Sequence, residues 1–143
     1  GRFHDSHDEV FAGLEPYKHK PLGSPTSFRL LLLKSGSKGP LECDLIEHSV
    51  DTVLKFDAVS YTWGSPLPPR YIKCDGKSLQ ITQNCEDALY KIRLPSRGRL
   101  IWVDSICIDQ TAENNEEKNQ QLQLMGHIYG HASHVLAWIG PGN

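Results

Sequence analysis

The chain has little of what most catalytic and binding signatures need. No two of its four cysteines form a CxxC pair, so neither a zinc knuckle nor a dithiol redox site is available from spacing. Cys43, Cys74, Cys85 and Cys107 sit among apolar or strand-like neighbours, as reduced core thiols of a cytoplasmic protein do. No GxGxxG is present, which removes a Rossmann dinucleotide site. Gly76-Lys77-Ser78 imitates the end of a phosphate-binding loop, but Tyr71 stands where the earlier glycine is required, and the segment leads into a strand. Fifteen basic residues against seventeen acidic ones leave a net charge of −2, without the basic field that nucleic-acid binding needs. The longest aliphatic run is Leu30-Leu31-Leu32-Leu33, against roughly 20 residues for a membrane span. No secretory signal is visible. The start at Gly1 and the close at Gly140-Pro141-Gly142-Asn143 read as an excerpt from a longer multidomain protein.

What is present reads as one α/β domain over residues 21–143, preceded by a loose polar arm over residues 1–20. Residues 28–33 and 41–45 suit two strands paired across a Gly/Ser-rich turn. Residues 56–61 form a third strand. Residues 71–74 and 78–81 flank Asp75-Gly76, a strong hairpin signal, because both central residues must reach positive φ. Asn84 is placed as an N-cap, followed by Cys85, Ala88, Leu89 and Ile92 on one helical face, with Pro95 as the stop. Residues 100–103 are a continuous apolar run, hence a strand buried on both faces. A second helix carries Leu122, Met125, Ile128, Tyr129 and Ala132 as its apolar positions. It leads to a final strand at residues 135–139.

Strand, helix, strand in the last third implies a parallel crossover. If the strand at residues 56–61 lies alongside, three carboxyl ends meet. They carry Ser60, Tyr61, Trp63 and Gly64, then Asp104 and Ser105, then Gly140. Ligands bind beyond such ends in open α/β sheets. Tyr61 and Trp63 can pack in the core or stack on a flat ring. Asp104 can act in catalysis, accept from a ligand hydroxyl, or cap a turn. Cys107 reads as a buried thiol rather than a nucleophile. His127 and His131, four apart, can share a metal, yet no HExxH is completed and histidines suit a helix C-terminus, so no metal is assigned. Glu117 can close the first helical turn as a capping box with Asn114, or face the crevice and stabilise a developing cation.

Four ordered blocks resemble the fungal heterokaryon-incompatibility (HET) domain. They are Phe56-Asp57-Ala58-Val59-Ser60-Tyr61-Thr62-Trp63-Gly64; Ile72-Lys73-Cys74-Asp75-Gly76 with Leu79 to Asn84; Leu100-Ile101-Trp102-Val103-Asp104-Ser105-Ile106-Cys107-Ile108-Asp109-Gln110; and Glu116-Glu117-Lys118 with Gln121, Met125, Ile128-Tyr129 and Ala132. The resemblance implies allorecognition and regulated cell death, an innate-immunity-like role controlled by other domains of the same chain or by NLR-type sensors, with self-association. HET domains are remotely similar to TIR domains. That implies a flavodoxin/TIR-like, mainly parallel sheet flanked by helices, to which the N-terminal and Asp-Gly hairpins are added. It also implies NAD+ as a possible substrate and no required cofactor. Asp57, Ser60 and Tyr61 resemble the first TIR box, and Glu117 is the positional counterpart of the TIR catalytic glutamate, although Trp-Cys-x-x-Glu is absent. On that implication Glu117 is the catalytic carboxylate, Tyr61 or Trp63 the ring platform and Asp104 the ribose-hydroxyl acceptor, with Ser60 and Gly64 beside them. The alternative is a non-enzymatic module that self-associates or recruits death-execution partners.

Overall fold

The structure, a computed structural model, describes residues 11–61, 64, 65, 67–111 and 115–138. A continuous apolar run makes strand β1 (Ser27–Leu33) and alternation makes β2 (Glu42–Ser49), and the two pair antiparallel as a hairpin. β3 (Asp57–Tyr61) follows, then β4 (Arg70–Cys74) and β5 (Lys77–Ile81), joined across Asp75 and Gly76 at φ of 50° and 80°. Helix α1 (Gln83–Ile92) leads to β6 (Arg99–Val103) and the single turn α2 (Asp104–Cys107). Helix α3 (Asn115–His131) leads to β7 (His134–Trp138).

The described residues build one seven-stranded sheet in the order β5-β4-β2-β1-β6-β3-β7. The expected trio is present: β3 lies between β6 and β7 and runs parallel to both. The sheet as a whole is mixed rather than mainly parallel. β1 is antiparallel to β2 and to β6, and β4 is antiparallel to β5, while β2 and β4 are parallel. The two hairpins are therefore not appendages. β1 inserts its apolar residues beside β6, so the hairpins continue the same buried surface.

Register assigns the faces. Trp102 pairs with Ala58 and Leu100 with Leu32, and strand alternation puts Ser60 on that same face. α3 covers this face, where fully buried Trp102 meets the Tyr129 ring edge-on at 5.3 Å. Val103, Val59 and Leu31 point the other way. α1 covers that side, with Ala88 and Leu89 buried. The cap of α1 is Thr82, two residues before the expected Asn84: its hydroxyl accepts the Cys85 amide at 3.1 Å. Of the expected inward face of α3, Ile128 is buried and Met125, Tyr129 and Ala132 pack against the core, and only Leu122 departs from it. Leu122 is 47% exposed, whereas Gln121 is buried and donates to the Ser27 carbonyl at 2.7 Å. All four cysteines are free and buried.

The arm, expected to be loose over residues 1–20, is docked from Phe11 onward. Phe11 is buried, Tyr17 donates its amide to the Ser78 carbonyl and Ser78 returns its amide to Glu15. No helix among the described residues is long and apolar enough to cross a membrane.

Trp102→Ala is expected to cost about 3–5 kcal/mol, since it empties the centre of the α3 face. Thr82→Ala should cost about 1 kcal/mol, the loss of one helix cap. Urea denaturation of the two variants beside the parent chain measures both.

Candidate functional site

The carboxyl ends of β3 and β6 lie side by side, because Val59 pairs with Val103. One step further along, Ser60 and Asp104 become neighbours at the rim. α3 returns over this face and brings Tyr129 towards Ser60 and Asp104. Burial raises the Tyr129 phenol above its ordinary value, and the nearby Asp104 charge adds to the shift. Asp104 is half-buried at the start of α2. Burial raises its carboxyl above the ordinary value of 3.8, against the lowering by its own and the Ser105 amides. Tyr129 was legible only as a core position of its helix, because nothing in local spacing ties it to Ser60.

Gly64 follows β3 at a φ of +65°, and a Cβ there would lie 2.6 Å from the Asn84 amide nitrogen. Both the backbone angle and the close approach call for glycine. Trp63 and Gly140 lie outside the described residues, as does the side chain of Tyr61. The Tyr61 backbone pairs with Trp138 at the end of the β3–β7 ladder. Asn114, the other half of the expected capping box, also lies outside them.

Glu117 does sit in the first turn of α3, but its carboxylate is not at the Ser60 rim. One oxygen takes the buried Arg29 guanidinium at 2.5 Å and the other accepts the Leu22 amide at 3.3 Å. Arg29 alternates with Leu31, so it lies on the face opposite Ser60, two strands away, about 10 Å by strand spacing. Glu117 is also twelve residues from Tyr129 on one helix, about 18 Å along its axis. Arg29 further donates to the Cys107 carbonyl at 3.0 Å and the Lys20 carbonyl at 2.7 Å. A charged residue inside the apolar run Phe28-Arg29-Leu30 is the sequence signal that could have flagged it, because a buried charge requires partners.

On the α1 side of the same rim lies a cavity of about 600 Å3. Ser105 and Gln110 line it from the end of β6, Tyr71 and Gln80 from the β4–β5 hairpin, and Tyr17 and His19 from the arm. Its volume suits a small ligand. The end of β6 supplies one wall of this cavity, and among the described residues the opposite wall comes from the arm and the β4–β5 hairpin. His127 and His131 stack at 4.0 Å, with His131 Nδ1 donating to the His127 carbonyl, and the described residues hold no cluster of three metal-ligating side chains.

The model of the family described as "Heterokaryon incompatibility protein (HET)" matches residues 56–143, more than half of the chain. The chain belongs to the HET family. This HET domain is 34% identical over 151 residues to "Heterokaryon incompatibility protein 6, OR allele" of Neurospora crassa. The match covers 94% of the chain and 22% of that relative, so the chain spans about a fifth of the relative's length. No solved structure matches the HET domain. Within the family match lie Ser60, Gly64, Asp104, Glu117 and Tyr129, whereas the arm and Arg29 precede it.

Glu117→Ala is expected to destabilise the domain by about 3–5 kcal/mol, because it leaves a buried guanidinium without its counter-charge. Denaturant titration checks this. Asp104→Asn has the opposite sign at neutral pH. The folded state holds the Asp104 proton more tightly than the unfolded chain, so stability falls as pH rises from the unfolded value through the raised folded value. The Asn variant should therefore have the higher Tm at pH 7, with that advantage gone once the pH drops below the unfolded value. Thermal melts across acid and neutral pH measure it.

Proposed function

We propose that this HET domain acts in heterokaryon incompatibility, as a signalling module that works through contacts within a larger chain and with its own copies rather than through turnover. The name of its Neurospora relative supports the biological role. The observation that carries the non-enzymatic reading is the state of Glu117. Both of its oxygens are engaged, one by a buried guanidinium and one by a backbone amide. A carboxylate held this way serves the fold, and it is turned from the rim where a ribosyl cation would develop. On this reading the partners are further domains of the same chain or a sensor protein, and the setting is the cytoplasm. The rim of Ser60, Asp104 and Tyr129 is the surface that those partners read.

The finer alternative is TIR-like hydrolysis of NAD+, passing through an oxocarbenium-like state. Its support is the half-buried Asp104, whose carboxyl burial raises above its ordinary value, beside Ser60 at the carboxyl ends of parallel strands. The alternative draws nothing from Glu117 as the structure holds it.

The two readings separate in one assay. Purified domain, alone and clustered on a scaffold, is incubated with NAD+ and free nicotinamide is measured. The module reading expects no release above buffer, together with incompatibility-type cell death that survives Glu117→Gln at a temperature where circular dichroism shows the variant folded. Nicotinamide release that disappears in that folded variant would establish hydrolysis in its place.

A further inference from the structure

β5 is an outer strand of the sheet, and only part of its free edge is covered. Ser78 donates its amide to the Glu15 carbonyl at 2.9 Å and accepts the Tyr17 amide at 2.7 Å, so both of its main-chain groups point away from β4. In an antiparallel ladder, residues two apart repeat that orientation. Ser78 faces Lys73 and Gln80 faces Tyr71 across β4 and β5, so the Gln80 N–H and C=O also point off the edge. Among the described residues neither has a backbone partner there. The arm does not follow β5 to meet them. Beyond Tyr17 it swings to His19, whose ring nitrogen Nε2 donates to the Ile106 carbonyl at 2.7 Å. Arm and strand diverge like the tines of a fork, and the cavity of about 600 Å3 lies between them.

The lining is selective by charge. It contains no lysine or arginine among the described residues, so nothing there neutralises a phosphate. The one carboxylate among the described lining residues, Asp109, is buried, takes the Thr111 amide at 3.0 Å and lies 3.8 Å from His19 Nδ1. Tyr17 and Tyr71 supply aromatic walls, while Thr82, Ser105 and Thr111 bring hydroxyls.

We propose that this fork is a binding site for an uncharged nucleoside-type ligand. Its flat heteroaromatic ring pairs edge-on with the Gln80 N–H and C=O, and its hydroxylated ring lies towards the Ser105 and Thr111 side. An adjacent donor and acceptor on one ring edge match the two main-chain groups of a single edge residue. An extended peptide fits less well, since a strand added to β5 needs the track that Pro16 already occupies in its bridge to Ser78.

The test is titration of the chain with adenosine, with adenosine monophosphate and with an extended peptide of alternating Val and Thr, followed by amide chemical shifts. Adenosine should bind saturably at millimolar concentration or below and shift the Gln80 and Tyr17 amides. The monophosphate should bind at least about tenfold more weakly, a loss of about 1.4 kcal/mol. Gln80→Pro removes the outward N–H at a position where an edge strand tolerates proline, and should abolish binding with the fold intact by circular dichroism. Absence of saturable adenosine binding overturns the proposal. So does a monophosphate that binds equally well, retained affinity in folded Gln80→Pro, or preferential uptake of the peptide along β5.

Discussion

A guanidinium buried in the middle of an apolar sheet is the constraint around which this domain is organised. Arg29 stands beside Leu30, Leu31 and Leu33, all fully buried, and is itself 3% exposed. A charge in that setting is tolerable only with full hydrogen bonding and a counter-charge. Its partners come from three distant stretches: the Lys20 carbonyl of the arm, the Cys107 carbonyl at the end of α2, and the Glu117 carboxylate at the start of α3. One side chain thereby sets where the arm crosses, where α2 ends and where α3 begins its run across the Trp102 face. The walls of the fork and the position of Tyr129 both follow from those three placements.

The rim at the carboxyl ends of β3 and β6 is divided by the sheet itself. Successive residues of a strand point to opposite faces, so what sequence order places together is sorted onto two sides. On the α3 side, Ser60, Asp104 and Tyr129 form a small polar group, in which burial raises the Asp104 carboxyl above its ordinary value. On the α1 side lies a cavity of about 600 Å3, bounded by the arm and the β4–β5 hairpin. Glu117 joins neither group. Its pairing with buried Arg29 is a structural task, and a carboxylate at a helix start near a crevice need not be a reagent. The opposite electrostatic situation is found at Asp57. Burial alone would raise it, but Arg99 at 2.9 Å and His134 at 3.2 Å outweigh this and hold it below its usual range. That carboxylate ties β3 to β6 and β7 at the far end from the rim.

Much of the secondary structure was legible. Alternation marked β2, the Asp-Gly pair marked the turn between β4 and β5, and a continuous apolar run marked β6, since each of these signals is local. The misses were also instructive. Thr82 and Asn84 are both good capping residues, and which one caps α1 depends on whose side-chain oxygen reaches the third amide, a matter of backbone angle. Gln121 took the inside of α3 in place of Leu122 because its amide nitrogen finds the Ser27 carbonyl, which offsets part of the cost of burying the side chain, although its Oε1 has no partner among the described residues. The polar arm looked unstructured because its partners, Ser78, Ile106 and Asp109, lie 60 or more positions away in the chain.

The sequence by itself determined the strands, the hairpins, the parallel trio and the family, because these rest on local periodicity, turn chemistry and ordered motifs. Tertiary structure alone decided which residues share a site. It separated Glu117 from Ser60, brought Tyr129 to the rim near Asp104, and opened a cavity between the arm and β5. The reason is that face and proximity are set by register and by long-range partners of a buried charge, which no window of neighbouring residues contains.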